Sequence, residues 1–239
     1  MILVLHTNRG ITSNKKPKLL NVADIMNVNF KQSSNRFVEK QKLNQTLSFY
    51  QNNAAGYFAE TVDMDISENR YRFLKSIPKG GHILDLGCGS GRDSRFFLEN
   101  GYEVTPLDAS AELAQLAGNF VGKRVVVQSI QEITYRNRFD GIWACASLLH
   151  CAKLEMDNIL HRICIALKPQ GITYMSFKQG EGERIDEKGR FFNDYTEEEL
   201  QGVLDKIHGL AIVDLWTETK PLRNGWQTWV NILAQKEDD

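Results

Sequence analysis

Short apolar runs alternate with stretches of helical periodicity through the middle of the chain. Five runs bounded by Gly, Pro or polar residues predict strands, over residues 83–86, 104–107, 124–128, 139–146 and 172–177. Helical periodicity lies between them, over residues 92–100, 111–120 and 156–167. Because strand and helix alternate, the pattern predicts an α/β fold with a mostly parallel, doubly wound sheet and helices on both faces.

The two ends of this region have other patterns. Aromatic and leucine positions over residues 43–77 predict two short helices that cap the core. Thr196 and Glu199 have the spacing of a capping box, which predicts another helix. Two β-rich runs, 211–217 and 228–235, predict a terminal antiparallel pair.

Residues 83–91, Ile-Leu-Asp-Leu-Gly-Cys-Gly-Ser-Gly, are the most informative stretch. A buried strand that runs into alternate glycines predicts a tight turn into a helix, where a ligand can contact bare backbone. Asp108 lies 21 residues after Gly87, at the end of the second strand, where a carboxylate can accept hydrogen bonds from ribose hydroxyls. These features predict a nucleoside site. Arg92 occupies the position of the third glycine of a dinucleotide fingerprint, which disfavours a nicotinamide-dependent oxidoreductase.

Asp85, Gly87, Gly89 and Gly91 form the motif D-x-G-x-G-x-G, and here the sequence closely resembles class I S-adenosylmethionine-dependent methyltransferases. The resemblance extends over about residues 43–236 and implies a seven-stranded sheet that ends in an antiparallel hairpin. It also implies S-adenosylmethionine as the cofactor, S-adenosylhomocysteine as its product, and in-line transfer of the methyl group to an acceptor.

The resemblance assigns cofactor contacts to the ends of four strands. They are Asp85, Gly87, Cys88, Gly89, Gly91 and Arg92 after the first strand, Asp108 and Ala109 after the second, Ser129, Ile130 and Gln131 after the third, and Ala144 and Cys145 at the fourth. Many family members hold the adenine amino group with an Asp after the third strand, and this chain has none there. We expect backbone groups of Ile130 to replace it, helped by Gln131 or Ser129.

Catalytic and acceptor residues are predicted from their positions after the strands. His150 follows the fourth strand and is either a general base or a packed, hydrogen-bonded ring. The long polar segment 178–194 predicts a lid that carries Arg184 toward the acceptor, and the alternative is a charged surface loop. Its patterns S-F-K-x-G-E-G-E-R and G-R-x-F resemble a bacterial small-molecule-type subgroup often likened to tellurite-resistance methyltransferases. The predicted acceptor contacts are Tyr50, Tyr57, Lys178, Arg190, Arg223 and Trp226.

The distribution of charge along the chain bears on whether the acceptor is a nucleic acid or a small molecule. The chain has 239 residues and a net charge of −1, but residues 1–45 hold eight Lys/Arg against two Asp/Glu, leaving 21 against 28 for the remainder. A nucleic-acid enzyme usually carries positive charge beside its active site, so we expect a small-molecule acceptor rather than nucleic acid. The alternatives are a tRNA methyltransferase that anchors RNA with the basic arm, and a non-catalytic S-adenosylmethionine-binding module.

Composition also predicts the domain organisation. We expect one domain over residues 43–239 and, over residues 1–42, a basic, flexible extension that cofactor binding does not need.

The four cysteines form no C-x-x-C pair, which predicts reduced thiols and no metal site. No apolar run is long enough for a membrane span or a signal peptide, which predicts a cytoplasmic location. No pattern indicates an oligomeric state.

Overall fold

In the computed structural model, which describes residues 41–222 and 225–238, parallel strands and helices alternate as the hydrophobic pattern predicts. The strands are β1 His82–Leu86, β2 Glu103–Asp108, β3 Val126–Val127, β4 Phe139–Ala144, β5 Leu167–Lys178, β6 Glu183–Ile185, β7 Phe191–Asn193, β8 Leu210–Leu222 and β9 Gly225–Lys236. The helices are α1 over residues 41–52, α2 Ala54–Thr61, α3 Ser67–Leu74, α4 Arg92–Glu99, α5 Ala111–Val121, α6 Lys153–Ala166 and α7 Glu197–Leu204. Arg223 and nearly all of the predicted extension lie outside the described residues.

Seven strands form one sheet in the order β3-β2-β1-β4-β5-β9-β8. The pairs from β3 to β5 are parallel, whereas β9 is antiparallel to both β5 and β8. This arrangement confirms the predicted fold, including the terminal hairpin. The carboxyl ends of β1, β2 and β4 therefore meet at one edge of the sheet, where open α/β sheets bind their ligands.

Side chains of the central strands alternate between two packed layers. Leu84 and Leu86 of β1 lie in the larger apolar cluster, while Ile83 lies in the cluster on the opposite face. In the second cluster Trp143 stacks on Tyr174 with ring centroids 4.0 Å apart. Because both faces are covered, the sheet is buried and its edge at the glycine motif is rigidly held.

The structure differs from the sequence-based prediction in four local features. Three described helices precede β1 instead of two. The strand β3 has only two residues, because it pairs with only Leu107 and Asp108 of β2. Residues 168–171, which separate the predicted helix 156–167 from the predicted strand 172–177, lie inside β5, where Gln170 has a φ of 61° and the register shifts. Part of the predicted lid forms the two-stranded sheet of β6 and β7.

Candidate active site

The glycine turn after β1 is held against β2 by main-chain hydrogen bonds. The N–H groups of Gly87 and Cys88 both donate to the carbonyl of Leu107, each at 2.8 Å. Gly87 has a φ of 81°, and a Cβ added there would lie 2.5 Å from the Cβ of Ser147. Since an L side chain disfavours this backbone region and no space exists for it, position 87 requires glycine. The turn therefore presents unobstructed backbone to the edge of the sheet.

Gly91 belongs to the same motif but has a different role. It is the N-cap of α4, with a φ of 78°, and a Cβ there would meet Val121 at 2.7 Å and Ala117 at 3.1 Å. Gly91 lies outside the cavity linings described below. The structure thus assigns it to close packing between α4 and α5, rather than to the cofactor contact that the resemblance implies.

Asp108 fixes the junction between the turn and the second strand. Its Oδ2 accepts the N–H of Gly89 and its Oδ1 accepts the N–H of Ser110, both at 2.8 Å. Burial raises the pKa of Asp108 above its ordinary value, although these hydrogen bonds oppose the shift. Each carboxylate oxygen retains acceptor capacity, and the residue lines a cavity.

Asp85 is placed differently from the predicted cofactor contact. It lies behind the turn, 2% exposed, and accepts a hydrogen bond of 2.6 Å from Ser94 Oγ. Burial, followed by the charge of Asp93, raises the pKa of Asp85 to about 8. Asp93 lines the larger cavity instead, where its carboxylate binds Arg92 and the indole N–H of Trp143. The acid of the motif therefore supports the turn from inside.

Two adjoining cavities, of about 100 and 530 Å³, open at this edge of the sheet. Both are lined by Tyr50, Tyr57, Gly87, Gly89, Ala146 and His150. Of the other predicted residues, Asp108, Ala109, Ser129, Ile130 and Gln131 line the smaller cavity, and Cys88, Arg92, Cys145, Lys178 and Arg190 line the larger one. Ala144 is buried within β4 outside both linings, and Trp226 is 74% exposed on the terminal hairpin.

His150 uses both ring nitrogens within the protein. Nδ1 lies 2.6 Å from the carbonyl of Phe191, which can only accept, so Nδ1 carries the proton. Nε2 then accepts the hydroxyl proton of Tyr50 at 2.8 Å. Burial is the main cause that lowers the pKa of His150 to about 4. The geometry favours the packed, hydrogen-bonded ring over a base that contacts the acceptor directly.

Arg184 lies outside both cavity linings, contrary to the predicted catalytic position. Its Nε binds Asp194 Oδ2 at 2.6 Å, and its side chain is 42% exposed. The second half of the predicted lid is anchored, because Phe191 and Phe192 are buried and the N–H of Phe191 donates to Thr46 Oγ1 of α1 at 2.9 Å. Residues 189–194 are thus a packed wall that carries Arg190, whereas residues 181–185 are exposed, as the charged-loop alternative expects.

The cavities contain polar residues that the sequence did not single out. Asn69 is 2% exposed, donates from Nδ2 to Glu218, and has no partner for Oδ1 in the described part of the chain. Ser147 Oγ is likewise buried without a described partner. Ser147 follows β4, so its position was a usable signal. Asn69 had none, because it lies in an ordinary polar stretch far from the strands.

The comparisons with known proteins agree with this geometry. Residues 83–171 match the model of a methyltransferase domain. YqeM of Bacillus subtilis is 35% identical over 117 residues, which are 44% of this chain and 47% of that protein. The chain spans about half the length of the first curated relatives it matches.

Solved structures extend the likeness. The Burkholderia thailandensis 1,6-didemethyltoxoflavin-N1-methyltransferase, bound to 1,6-didemethyltoxoflavin and S-adenosylhomocysteine, has a TM-score of 0.67 and 25% identity, over 84% of this chain and 90% of that chain. TehB from Haemophilus influenzae has a TM-score of 0.59 and 17% identity, over 71% of this chain and 62% of that chain, and shows the fold alone.

The sheet order, the glycine turn and the matched domain are those of class I S-adenosylmethionine-dependent methyltransferases, as the motif predicts, and the matched domain covers residues 83–171 of this chain. The cofactor of this class is S-adenosylmethionine. None of the described helices has the length and apolar character that crossing a bilayer requires.

Proposed function

We propose that the domain binds S-adenosylmethionine across the two cavities and transfers its methyl group to a small-molecule acceptor in the larger one. The observation that carries this proposal is the junction of the glycine turn with Asp108. Bare backbone at Gly87 and Gly89 lies beside a carboxylate that lines the smaller cavity. A nucleoside suits both features. Its ribose offers two hydroxyls to the carboxylate, and the rest of the molecule lies close to the main chain.

The residues present fit an adenosine group. Each oxygen of Asp108 accepts one backbone N–H, which leaves one further acceptor site on each for the two hydroxyls of a ribose. Leu113 and Ile130 add apolar surface to the same cavity, which suits a flat ring. Ser147 belongs to the same lining, and its Oγ is buried without a partner among the described residues. Gln131 and Ser129 are the polar candidates for the adenine amino group.

The size of the larger cavity supports a small-molecule acceptor. Its volume of about 530 Å³ lies within the range of small-molecule sites. Its lining comes from α1, α2, α3 and the ends of β5 and β9, so a bound molecule would be surrounded. The Burkholderia thailandensis 1,6-didemethyltoxoflavin-N1-methyltransferase, which is similar over most of both chains, has 1,6-didemethyltoxoflavin bound.

The cofactor supplies a methyl group already activated by its sulfonium. What remains for the protein is to align the acceptor and exclude water, and orientation of this kind can lower a barrier by roughly 7–11 kcal/mol. Tyr50 and Tyr57 form the wall shared by both cavities, at the place where cofactor and acceptor would meet. His150 holds the Tyr50 hydroxyl in place, so we assign it a positioning role.

Calorimetry with S-adenosylhomocysteine tests the proposal. We expect the wild-type chain to bind it, and Asp108→Asn to weaken binding by about 1.5–3 kcal/mol, the usual contribution of a hydrogen bond to a charged group. Asp157→Asn is the matched control, because Asp157 is exposed on α6 outside both cavities. Binding of a nicotinamide dinucleotide in place of S-adenosylhomocysteine, or equal affinity for Asp108→Asn and wild type, would contradict it.

A further inference from the structure

Three basic side chains surround the ring of Phe192. Lys178 Nζ lies 4.1 Å from the ring centroid, and the guanidinium carbons of Arg184 and Arg190 lie 4.7 and 5.0 Å from it. We call these four residues the Phe192 cluster. Phe192 itself is buried at 3% exposure, so the three charges meet in a partly desolvated place.

Among the residues that the structure describes, two carboxylates balance the three charges of the Phe192 cluster. Asp194 binds Arg184 at 2.6 Å, and Asp186 binds Arg190 at 2.7 Å. Lys178 forms no ion pair with any residue in the described ranges. The cluster therefore has one positive charge in excess, and that charge resides on Lys178.

Lys178 faces the larger cavity from the end of β5. The other charged residues of this lining are paired or peripheral: Arg92 shares Asp93 with Arg70, Lys220 binds Glu218, Arg190 binds Asp186, and Asp65 is exposed. Trp229, the register partner of Lys178 on β9, lines the same cavity. The wall thus combines an unbalanced ammonium with aromatic surface.

An unbalanced ammonium in this position is destabilised by its surroundings. Burial, and then the charges of Arg184 and Arg190, lower the pKa of Lys178 below its ordinary value. The face of the Phe192 ring attracts the ammonium, but less strongly than a carboxylate would. It therefore offsets only part of the cost of burying the charge of Lys178. A negatively charged ligand would supply the missing partner.

We infer that the acceptor of this domain is an organic acid, with an anionic group that binds Lys178 and an apolar body against Trp229. The inference rests on the proposed function, because it names the chemical class of the molecule that occupies the larger cavity. The carboxylate or similar acid group serves recognition here, and no bond to it is made or broken.

Matched acid and amide probes test the inference on the full chain saturated with S-adenosylhomocysteine. Benzoate against benzamide and nicotinate against nicotinamide have the same shape and differ in charge. We expect the wild type to bind the acid of at least one pair about tenfold more tightly. Lys178→Met should abolish that preference, and Lys178→Arg should retain it. Lys206→Met, at an exposed position outside the cavity, changes the net charge equally and should retain the preference.

The outcomes separate the two proposals. If S-adenosylhomocysteine binds but no acid binds more tightly than its amide, the organic-acid inference is wrong and the proposed cofactor site stands. If the preference persists in Lys178→Met, the anion is bound elsewhere and the assignment to Lys178 is overturned. If the wild type fails to bind S-adenosylhomocysteine at all, the proposed function itself fails.

Discussion

Replacing Gly87 by Ala adds a single methyl group at the most constrained position of the glycine turn. Two separate penalties follow from the structure. The backbone φ of 81° is a left-handed conformation that disfavours any Cβ by about 1–2 kcal/mol. The new Cβ would also lie 2.5 Å from the Cβ of Ser147, which is far closer than van der Waals contact. Overpacking of a dense site typically costs about 1–3 kcal/mol.

The two penalties together predict that Gly87→Ala lowers the free energy of unfolding by about 2–5 kcal/mol, a large share of the roughly 5–15 kcal/mol of a typical domain. Gly80 allows the backbone penalty to be measured separately from the clash. Its φ is 73°, but no heavy atom lies within 4 Å of the place where a Cβ would be added. Gly80→Ala should therefore show the backbone penalty alone. In a Ser147→Gly background the clash disappears, and Gly87→Ala should then cost no more than Gly80→Ala.

Urea unfolding followed by far-UV circular dichroism measures all four variants and the wild type without ligand. The expected result is a coupling free energy of about 1–3 kcal/mol between positions 87 and 147. An equal effect of Gly87→Ala in both backgrounds would show that Ser147 is not the obstacle. An effect in the wild-type background no larger than that of Gly80→Ala would refute the packing argument altogether.

Two further predictions concern buried hydrogen-bonding groups. Because the native pKa of Asp85 is raised to about 8 and its unfolded pKa is about 4, native protein retains the proton longer, so stability should fall as pH rises across this window. Asp85→Asn, which can still accept from Ser94, should flatten that fall in urea titrations at several pH values; an unchanged slope would exclude Asp85 as its source. Tyr50→Phe removes the donor to the part-buried Nε2 of His150 and should lower the unfolding free energy by about 0.5–1.5 kcal/mol. The exposed control Tyr71→Phe should change it little, and equal effects of both would count against the Tyr50–His150 hydrogen bond.

The sequence predicts the sheet well because its strands follow a local rule. Each buried strand of the parallel region is a short apolar run, and each helix between them has a cap or a periodic face that neighbours in sequence reveal. The capping box is one example: Thr196 Oγ1 accepts the N–H of Glu199 at 3.1 Å, as predicted. β3 was predicted too long because pairing with β2, which no local pattern encodes, limits it to two residues.

The walls of the candidate site were harder to predict, because they depend on contacts between distant segments. Arg184 and Arg190 lie in the same charged segment, yet Arg190 lines the cavity whereas Arg184 pairs across β6 and β7 with Phe192 and lies outside it. Asn69 also lines the cavity, where it donates a hydrogen bond to Glu218, which is 149 residues away in sequence. Asp85 matches the motif, yet its side chain lies behind the turn. Because side chains alternate along β1, that of Asp85 points toward α4, where Ser94 donates to it.

The larger cavity has consequences for how proteins of this kind can diverge. The matched methyltransferase domain, residues 83–171, contains the glycine turn and Asp108, whereas Tyr50, Lys178 and Trp229 lie outside it. Substitutions in these outer segments can reshape the larger cavity while the glycine turn remains intact. Sequence change in the outer segments and in the matched domain can therefore proceed almost independently, and exchange of the outer segments between relatives is a direct way to alter the larger cavity.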